Sequence, residues 1–180
     1  MVQSHFETET FTSENFVETA GTILFRLSTQ EICILHLLEK DEYVLPEGRR
    51  NLGESRQQTA LRETREETEF SCNLMHLDML SRVCPPVEDE EFPDEARFYK
   101  HVIEPVAMQT RRVEGGIKLI WWYVATINEE VPVGEHESER FGVEFNGYEE
   151  TLRKLTFEED RKVVRRAIEL VNSTMANKEK

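Results

Sequence analysis

The chain has 180 residues, of which 38% are hydrophobic and 32% are charged. This size suits one domain with a substantial core, and the composition excludes a chain that is disordered throughout. No apolar run approaches the roughly 18 residues that a membrane-spanning helix needs. The first residues also lack the basic and apolar regions of a secretory signal. We therefore expect a cytoplasmic protein, with the nucleus as the alternative compartment.

Acidic residues outnumber basic residues by 36 to 22, which gives a formal net charge of −14. A field of this sign repels nucleic acid and anionic lipid, so we expect neither duplex nucleic acid nor a membrane as a partner. An acidic surface often serves solubility alone, but clustered carboxylates also bind hard divalent cations. The three cysteines include no CxxC pair, which argues against a disulfide framework or a cysteine-rich zinc site.

Strand-like segments begin close to the N-terminus. Residues 1–19 are polar and acidic and predict a loosely ordered lead-in. Residues 21–27 and 31–38 are rich in β-branched and apolar side chains, so they predict two strands that turn at residues 28–30. We therefore expect an N-terminal hairpin.

A loop and a helix follow the hairpin. The short apolar run 43–45 ends at Pro46, and residues 49–53 predict a loop. Ser55 and Gln58 have the spacing of a capping box, which predicts a helix from Ser55 to about Thr68. Its predicted buried face consists of small or aliphatic residues: Ala60, Leu61 and Thr64.

The second half of the chain predicts further strands and one more helix. Residues 71–83 predict one or two strands, and residues 118–127 predict the strongest, central strand. Residues 128–144 are rich in Gly, Pro and Glu and predict a loop. A second capping box, Thr156 to Glu159, predicts a helix. Its predicted inner side is apolar: Phe157, Val163, Val164, Ala167, Ile168 and Val171.

Strands that alternate with two clear helices predict an α/β fold with a mixed sheet flanked by helices. We expect one domain over residues 20–172, after the lead-in of residues 1–19 and before a tail of residues 173–180.

The first predicted helix carries carboxylates on one face. Glu63, Glu66 and Glu67 are spaced by three and four residues, so their side chains project together. Each close like-charge pair costs a few tenths of a kcal/mol on an exposed helix. A bound divalent cation would remove this repulsion, whereas a solvated face with Arg62–Glu66 pairs is the alternative interpretation.

The spacing of residues around this helix extends the pattern. Gly48, five residues, Glu54, seven residues and then the run from Arg62 to Glu67 resemble the Nudix box, G-x5-E-x7-R-E-U-x-E-E-x-G-U, where U is a bulky aliphatic residue. The first glycine and all the charged positions of the box match. Phe70 occupies the final apolar position.

Three positions depart from the family pattern. Thr64 replaces an aliphatic residue, and Glu47 stands where many relatives have lysine in an LPKG segment. Glu69 stands where the family has a glycine that ends the helix. That glycine normally adopts a left-handed conformation, which costs another residue roughly 1 kcal/mol. We therefore expect Glu69 to strain the helix end or to shift it.

The resemblance implies an α/β/α sandwich around a mixed β-sheet, and hydrolysis of a diphosphate bond with Mg²⁺ or Mn²⁺ as cofactor. A dinucleoside polyphosphate or a diphosphoinositol polyphosphate is the first substrate expected, while nucleotide sugars, dinucleotide cofactors and capped RNA ends stay open. The partner is thus a small-molecule phosphoanhydride, and a homodimer stays open. The alternative is a Nudix-like module that binds nucleotide or metal with weak or no turnover.

The resemblance also implies roles for individual residues. The metal ligands would be the Gly48 carbonyl and three carboxylates: Glu63, Glu66 and Glu67. Arg62 would orient these carboxylates, and Glu54 would pair with Arg62 or bind a second metal through water. The general base stays open between Glu63, Glu67 and Glu139. Glu139 is our candidate for the acidic loop residue of the family, with Glu137 and Glu144 as alternatives.

Basic residues near the box are candidates for binding substrate. Arg49 and Arg50 lie in the loop between Gly48 and Glu54, where their forked guanidinium groups could grip a distal phosphate. Lys118 and Arg26 lie on predicted strands that should line the cleft.

Overall fold

A computed structural model of the chain describes residues 6–86, 91–128 and 141–178. The strands in these ranges are β1 (Phe16–Arg26), β2 (Glu31–Leu37), β3 (Glu42–Val44), β4 (Glu47–Arg49), β5 (Cys72–Leu74), β6 (Leu77–Ser81), β7 (Arg97–Val102), β8 (Ala107–Val113), β9 (Gly116–Ile127) and β10 (Phe141–Gly147). The helices are α1 (Arg56–Thr68), α2 (Tyr148–Lys154) and α3 (Glu158–Lys178). No helix in the described ranges is long and apolar enough to cross a membrane.

Eight of these strands form one mixed sheet. Its main order is β10-β2-β1-β9-β5, with β3 paired to β2, β4 to β1 and β8 to β9. β1 and β9 run parallel from Phe16–Ile117 to Phe25–Thr126, and the other pairings in this sheet are antiparallel. β6 and β7 form a separate two-stranded sheet. The predicted mixed sheet and the central position of β9 are therefore confirmed.

Helices cover both faces of the mixed sheet, because side chains alternate across each strand. On one face, residues such as Ile23 and Trp122 pack in a cluster with Val164 and Ala167 of α3. On the other face, Tyr123 packs with Ala60 of α1. The adjacent tryptophans divide between the faces, since Trp121 contacts the α1 cluster and Trp122 the α3 cluster. This is the predicted α/β/α sandwich.

Several element boundaries differ from the sequence prediction. β1 begins at Phe16, so residues 16–19 belong to a strand that pairs with β9 and not to the lead-in. β10 lies partly in the segment predicted as a loop, and β7 and β8 were not predicted. β7 and β8 consist mainly of polar and charged residues and lack the apolar alternation that identifies a strand. The apolar residues of β10 do alternate, but this strand begins inside the segment rich in Gly, Pro and Glu.

The predicted buried faces of α1 and α3 each differ from the structure at one residue. Leu61 of α1 is only half-buried, and the buried positions are Thr59, Ala60, Thr64 and Thr68. Phe157 precedes α3 and is 40% exposed, so it does not belong to the inner face. Thr156 ties this region to β3, because its Oγ1 accepts a hydrogen bond from the Tyr43 backbone N–H at 2.8 Å.

The ends of α1 follow from its sequence. At the N-terminus, Ser55 Oγ accepts from the Gln58 N–H at 3.1 Å, and the Ser55 N–H donates to Gln58 Oε1 at 2.8 Å, as the capping box predicts. At the C-terminus, Glu69 adopts φ 63° and ψ 2°, and its N–H donates to the Arg65 carbonyl at 2.8 Å. Glu69 thus adopts the left-handed conformation of the glycine that it replaces, and the helix is not displaced.

We expect Glu69→Gly to raise the free energy of unfolding by about 1 kcal/mol, because glycine adopts this conformation without a steric penalty. Denaturant unfolding with an unchanged slope would measure the gain. Arg65→Gly is the matched control: it lies inside the same exposed turn with helical geometry, so glycine there should lower stability. A loss of stability in Glu69→Gly would contradict the strain.

Candidate functional site

Arg62 lies at the centre of the box residues. Its Nε and Nη2 donate to the two carboxylate oxygens of Glu54 at 2.8 and 3.0 Å. Its Nη1 donates to Glu63 Oε1 at 2.7 Å and to Glu66 Oε2 at 3.0 Å. Nη2 also donates to the Arg49 carbonyl at 2.9 Å. One guanidinium therefore joins the loop before α1 to two carboxylates on the helix.

Glu54 is held in its ionised form by this arrangement. Its hydrogen bonds from Arg62, with further hydrogen bonds from the Asn51 N–H and the Thr59 hydroxyl, lower the pKa of Glu54 to about 2. Glu54 in turn raises the pKa of Arg62 through the same hydrogen bonds. Both groups are charged across the whole physiological range, so the pair is a fixed part of the site.

Gly48 allows a close approach between β4 and α1. A Cβ at this position would lie 2.0 Å from the carboxylate carbon of Glu63. The side chain of Glu63 is only 14% exposed, because it lies between this glycine and Arg62. The first glycine of the box is therefore required by the position of Glu63 and not by backbone conformation.

Glu67 is half-buried, whereas Glu66 is exposed. Its Oε2 accepts a hydrogen bond from the Glu47 N–H at 2.9 Å. Burial raises the pKa of Glu67 to about 8, and the nearby charges of Glu47 and Glu63 act in the same direction. A positive charge placed against Glu67 would lower this pKa and favour the ionised form.

Glu47 forms an ion pair with Lys118 of β9, one of the residues that we predicted to bind substrate. The other carboxylate oxygen of Glu47, Oε2, is buried and has no hydrogen-bond partner within the described parts of the chain. Glu47 stands where many relatives have lysine. Lys118 of β9 thus brings a positive charge to this place in the fold.

The box carboxylates are close together but do not converge on one point. Among residues 6–86, 91–128 and 141–178, no group of three or more His, Cys, Asp or Glu side chains is arranged to hold a metal ion. Arg62 holds Glu63 and Glu66, whereas Glu67 turns towards the Glu47 N–H. The donors nevertheless fit a hard cation, because they are all oxygens and include the unpartnered Glu47 Oε2.

A cavity of about 380 Å³ adjoins Glu47 and Glu67 on the α3 side of the sheet. Its other walls come from β2, β3, β8, β9 and the start of α3. They combine aliphatic side chains with charged ones, among them Arg111 and Asp160. The cavity is within the size range of small-molecule sites.

The predicted phosphate-binding arginines differ in their surroundings. Arg49 is exposed, and its backbone carbonyl is its contact with Arg62. The Arg50 side chain instead forms an ion pair with Glu18 at 3.0 Å and donates to the Glu54 carbonyl at 3.0 Å. Among the described residues, the Arg49 guanidinium has no ion-pair partner, so Arg49 is the member of this pair that can meet a ligand.

Two further candidates lie away from the box. Arg26 pairs with Glu31 at 3.1 Å and lies over the ring of Phe145. It is five residues along β1 from Gly21, the partner of Glu47 in β4, which corresponds to about 17 Å. Glu144 of β10 is bound to Lys154 at 2.5 Å.

Glu139 and Glu137 lie outside the described residues, so the position of the acidic loop residue stays a prediction. Conversely, no sequence pattern identified Asp160 and Arg111 as residues of this cavity. Asp160 lies in the first turn of α3, where an acidic residue is expected simply because it opposes the helix dipole.

We expect Glu54→Gln to lower the free energy of unfolding at neutral pH by about 1.5–3 kcal/mol, the range for hydrogen bonds to a charged group. Because folding lowers the pKa of Glu54 from 4.5 to about 2, its contribution is present above pH 4.5 and is lost as the pH falls towards 2. The difference between wild type and variant should therefore shrink over that interval in denaturant unfolding. Glu169→Gln on the exposed face of α3 is the control, and a pH-independent difference would contradict the assignment.

Solved structures share this fold, although no sequence profile of a known family and no curated protein sequence matches the chain. A C. elegans Ap4A hydrolase in a binary complex is 16% identical, with 89% of this chain and 98% of that chain covered and a TM-score of 0.59. A NUDIX hydrolase from Nitrosomonas europaea is 12% identical, with 84% and 87% covered and a TM-score of 0.55. The MutT protein from Bacillus halodurans is 15% identical, with 83% and 80% covered and a TM-score of 0.53. The resemblance carried by residues 48–70 thus extends to the architecture, and the chain is a Nudix-fold protein.

Proposed function

We propose that this protein is a divalent-metal-dependent hydrolase that cleaves a phosphoanhydride bond in a small molecule. The observation that carries the proposal is the grouping of Glu63 and Glu66 around Arg62, with Glu67 beside them at the wall of a cavity of about 380 Å³. A solvated helix face would not need Gly48 pressed against Glu63, nor a half-buried Glu67. The likeness to the solved hydrolases supports the same interpretation.

The cation would be Mg²⁺ or Mn²⁺, held by Glu63, Glu66 and Glu67 with the Gly48 carbonyl near it. When bound, such a cation polarises phosphate oxygens and lowers the pKa of a coordinated water. The net charge of −14 gives a second reason for a cation, since an acidic protein otherwise repels a polyphosphate.

The side chains of the site position the metal ligands and accept a proton. Arg62 fixes the carboxylates of Glu63 and Glu66, and the ionised Glu54 fixes Arg62. Glu67 is the better placed proton acceptor among the described candidates, because it lines the cavity and its Oε2 is already oriented by the Glu47 N–H. Glu63 is the second candidate, with its Oε1 already bound to Arg62.

A dinucleoside polyphosphate suits the cavity better than a diphosphoinositol polyphosphate. The carboxylates on the described cavity wall (Glu42, Glu47, Glu67 and Asp160) outnumber the cations (Lys40 and Arg111). A densely phosphorylated inositol would need the opposite balance, whereas an uncharged aromatic group can lie against the aliphatic wall. Ap4A hydrolases among the structures with this fold support the same choice.

The alternative, a binding module without turnover, would be favoured if Glu69 or Glu47 displaced the box carboxylates. Glu69 leaves the end of α1 in its expected position, and Lys118 neutralises Glu47. Neither departure therefore moves the box carboxylates, which favours the hydrolase.

We expect Glu67→Gln to lower the turnover of a dinucleoside tetraphosphate with Mg²⁺ at least 100-fold while the variant stays folded, because it removes a negative charge from the cation site.

Wild type should also show a melting temperature that rises with millimolar Mg²⁺, since a ligand of the native state stabilises it. Glu169→Gln serves again as the matched surface variant. Wild-type turnover in Glu67→Gln would overturn the site, and stabilisation by Mg²⁺ without hydrolysis of any phosphoanhydride would favour the binding module.

Substitution of the two loop arginines should have different effects, on KM for Arg49 and on stability for Arg50. Arg49→Ala should raise KM for a dinucleoside tetraphosphate by roughly 10-fold, because a charged hydrogen bond contributes about 1.5–3 kcal/mol. A nucleotide sugar, which lacks distal phosphates, should be affected much less. Arg50→Ala should mainly lower stability, since it leaves Glu18 with fewer partners. Equal KM changes for long and short substrates would show that Arg49 acts on the loop and not on a distal phosphate.

A further inference from the structure

The cavity beside Glu47 and Glu67 adjoins a second cavity of about 560 Å³. The two share three lining residues: Arg111, Phe157 and Asp160. Together they form a cleft, which we call the α3 cleft. It starts at Glu67 and passes the first turn of α3. A group attached to phosphates that are bound beside Glu67 could extend into this cleft.

Asp160 is the polar group buried in the wall of the α3 cleft. It is 3% exposed, and its Oδ1 accepts a hydrogen bond from Gln109 Nε2 at 3.3 Å. Within the described residues no other donor contacts this carboxylate. A buried carboxylate with one neutral donor retains unused acceptor capacity, which costs stability unless a ligand or water satisfies it.

The orientation of the Gln109 amide determines whether a donor or an acceptor faces the Asp160 carboxylate. The Trp122 indole N–H donates to Gln109 Oε1 at 2.9 Å, and an indole nitrogen can only donate. Gln109 must therefore direct its amide N–H towards Asp160. This chain of hydrogen bonds keeps the carboxylate in place as an acceptor.

The apolar part of the walls, which lies beside charged residues such as Arg111, suits a flat, uncharged ligand group. Leu35, Val44 and Leu45 contribute aliphatic surface, and Phe157 is 40% exposed at the wall that the two cavities share. An exposed aromatic ring beside a cavity is suited to stacking against a heterocyclic base.

We propose that Asp160 selects the base of the substrate, accepting two adjacent N–H donors from a guanine-type edge while Phe157 stacks on the ring. Guanine presents its N1–H and N2 amino group side by side, and a carboxylate can accept from both. Adenine presents an acceptor nitrogen beside its amino group, so one carboxylate oxygen would face a lone pair. The proposal rests on the proposed function for the position of the phosphates, but the contact with the base does not need turnover.

The test combines binding and hydrolysis. Calorimetry without metal would measure the affinity for guanosine, inosine and adenosine 5′-monophosphates, and turnover would compare diguanosine with diadenosine tetraphosphate. We expect guanosine monophosphate to bind at least tenfold more tightly than the adenosine compound, with inosine monophosphate between them because it lacks the amino group. Asp160→Asn is nearly isosteric but turns an amide donor towards the donors of guanine, so it should abolish the preference. Glu169→Gln, at an exposed position of the same helix that lines neither cavity, should retain it.

Each outcome separates the two proposals. Equal affinities in wild type, a preference that survives Asp160→Asn, or no nucleotide binding would overturn the role of Asp160. Tighter binding of the guanosine compound without hydrolysis would support base selection by Asp160 and contradict the proposed hydrolase activity. Hydrolysis without a preference for guanine would support the hydrolase activity and contradict base selection by Asp160. If Asp160→Asn does not fold, Phe157→Ala at the exposed position should weaken the binding of all three nucleotides, and unchanged affinities would overturn the stacking contact.

Discussion

The site depends on the donors of Arg62. This one side chain makes hydrogen bonds to Glu54, Glu63, Glu66 and the Arg49 carbonyl, so it joins the loop, the helix and the end of β4. Lysine has the same charge but not the planar, fixed set of donors, so it could not hold these groups at once. Without that guanidinium, Glu63 and Glu66 would lose the positive charge that they share.

A strongly acidic chain needs such local neutralisation at each point where elements meet. Glu18 of β1 accepts hydrogen bonds from Arg50, Arg56 and the Trp121 indole, which ties the first strand to both ends of the loop before α1. Lys118 does the same for Glu47 at the other side of the sheet. Basic residues that look available in the sequence are therefore partly used to hold the scaffold, and Arg49 is left to face solvent.

The local features of the site could be predicted from sequence because they depend on near neighbours. The capping box and the carboxylate face of α1 each follow from residues within a few positions of one another. The strain expected at Glu69 follows instead from the family glycine that it replaces. The cavity could not be predicted, because Gln109, Trp122 and Asp160 come from three separate elements. Nor could sequence separate Arg49 from Arg50, since the difference lies in the distant Glu18.

The parallel pairing of β1 with β9 has a consequence for how the protein folds. Thr19 and Leu119 are 100 residues apart, yet they are hydrogen-bonded across these two strands, and β4 with Gly48 pairs with the same part of β1. Contacts of such high sequence separation form late, because a long loop must close before they gain any energy. Helix α1 can form early from its local signals, but Lys118 of β9 reaches Glu47 only after the middle of the chain has returned to the N-terminal strand. During synthesis, the site would therefore be assembled only once β9 has left the ribosome.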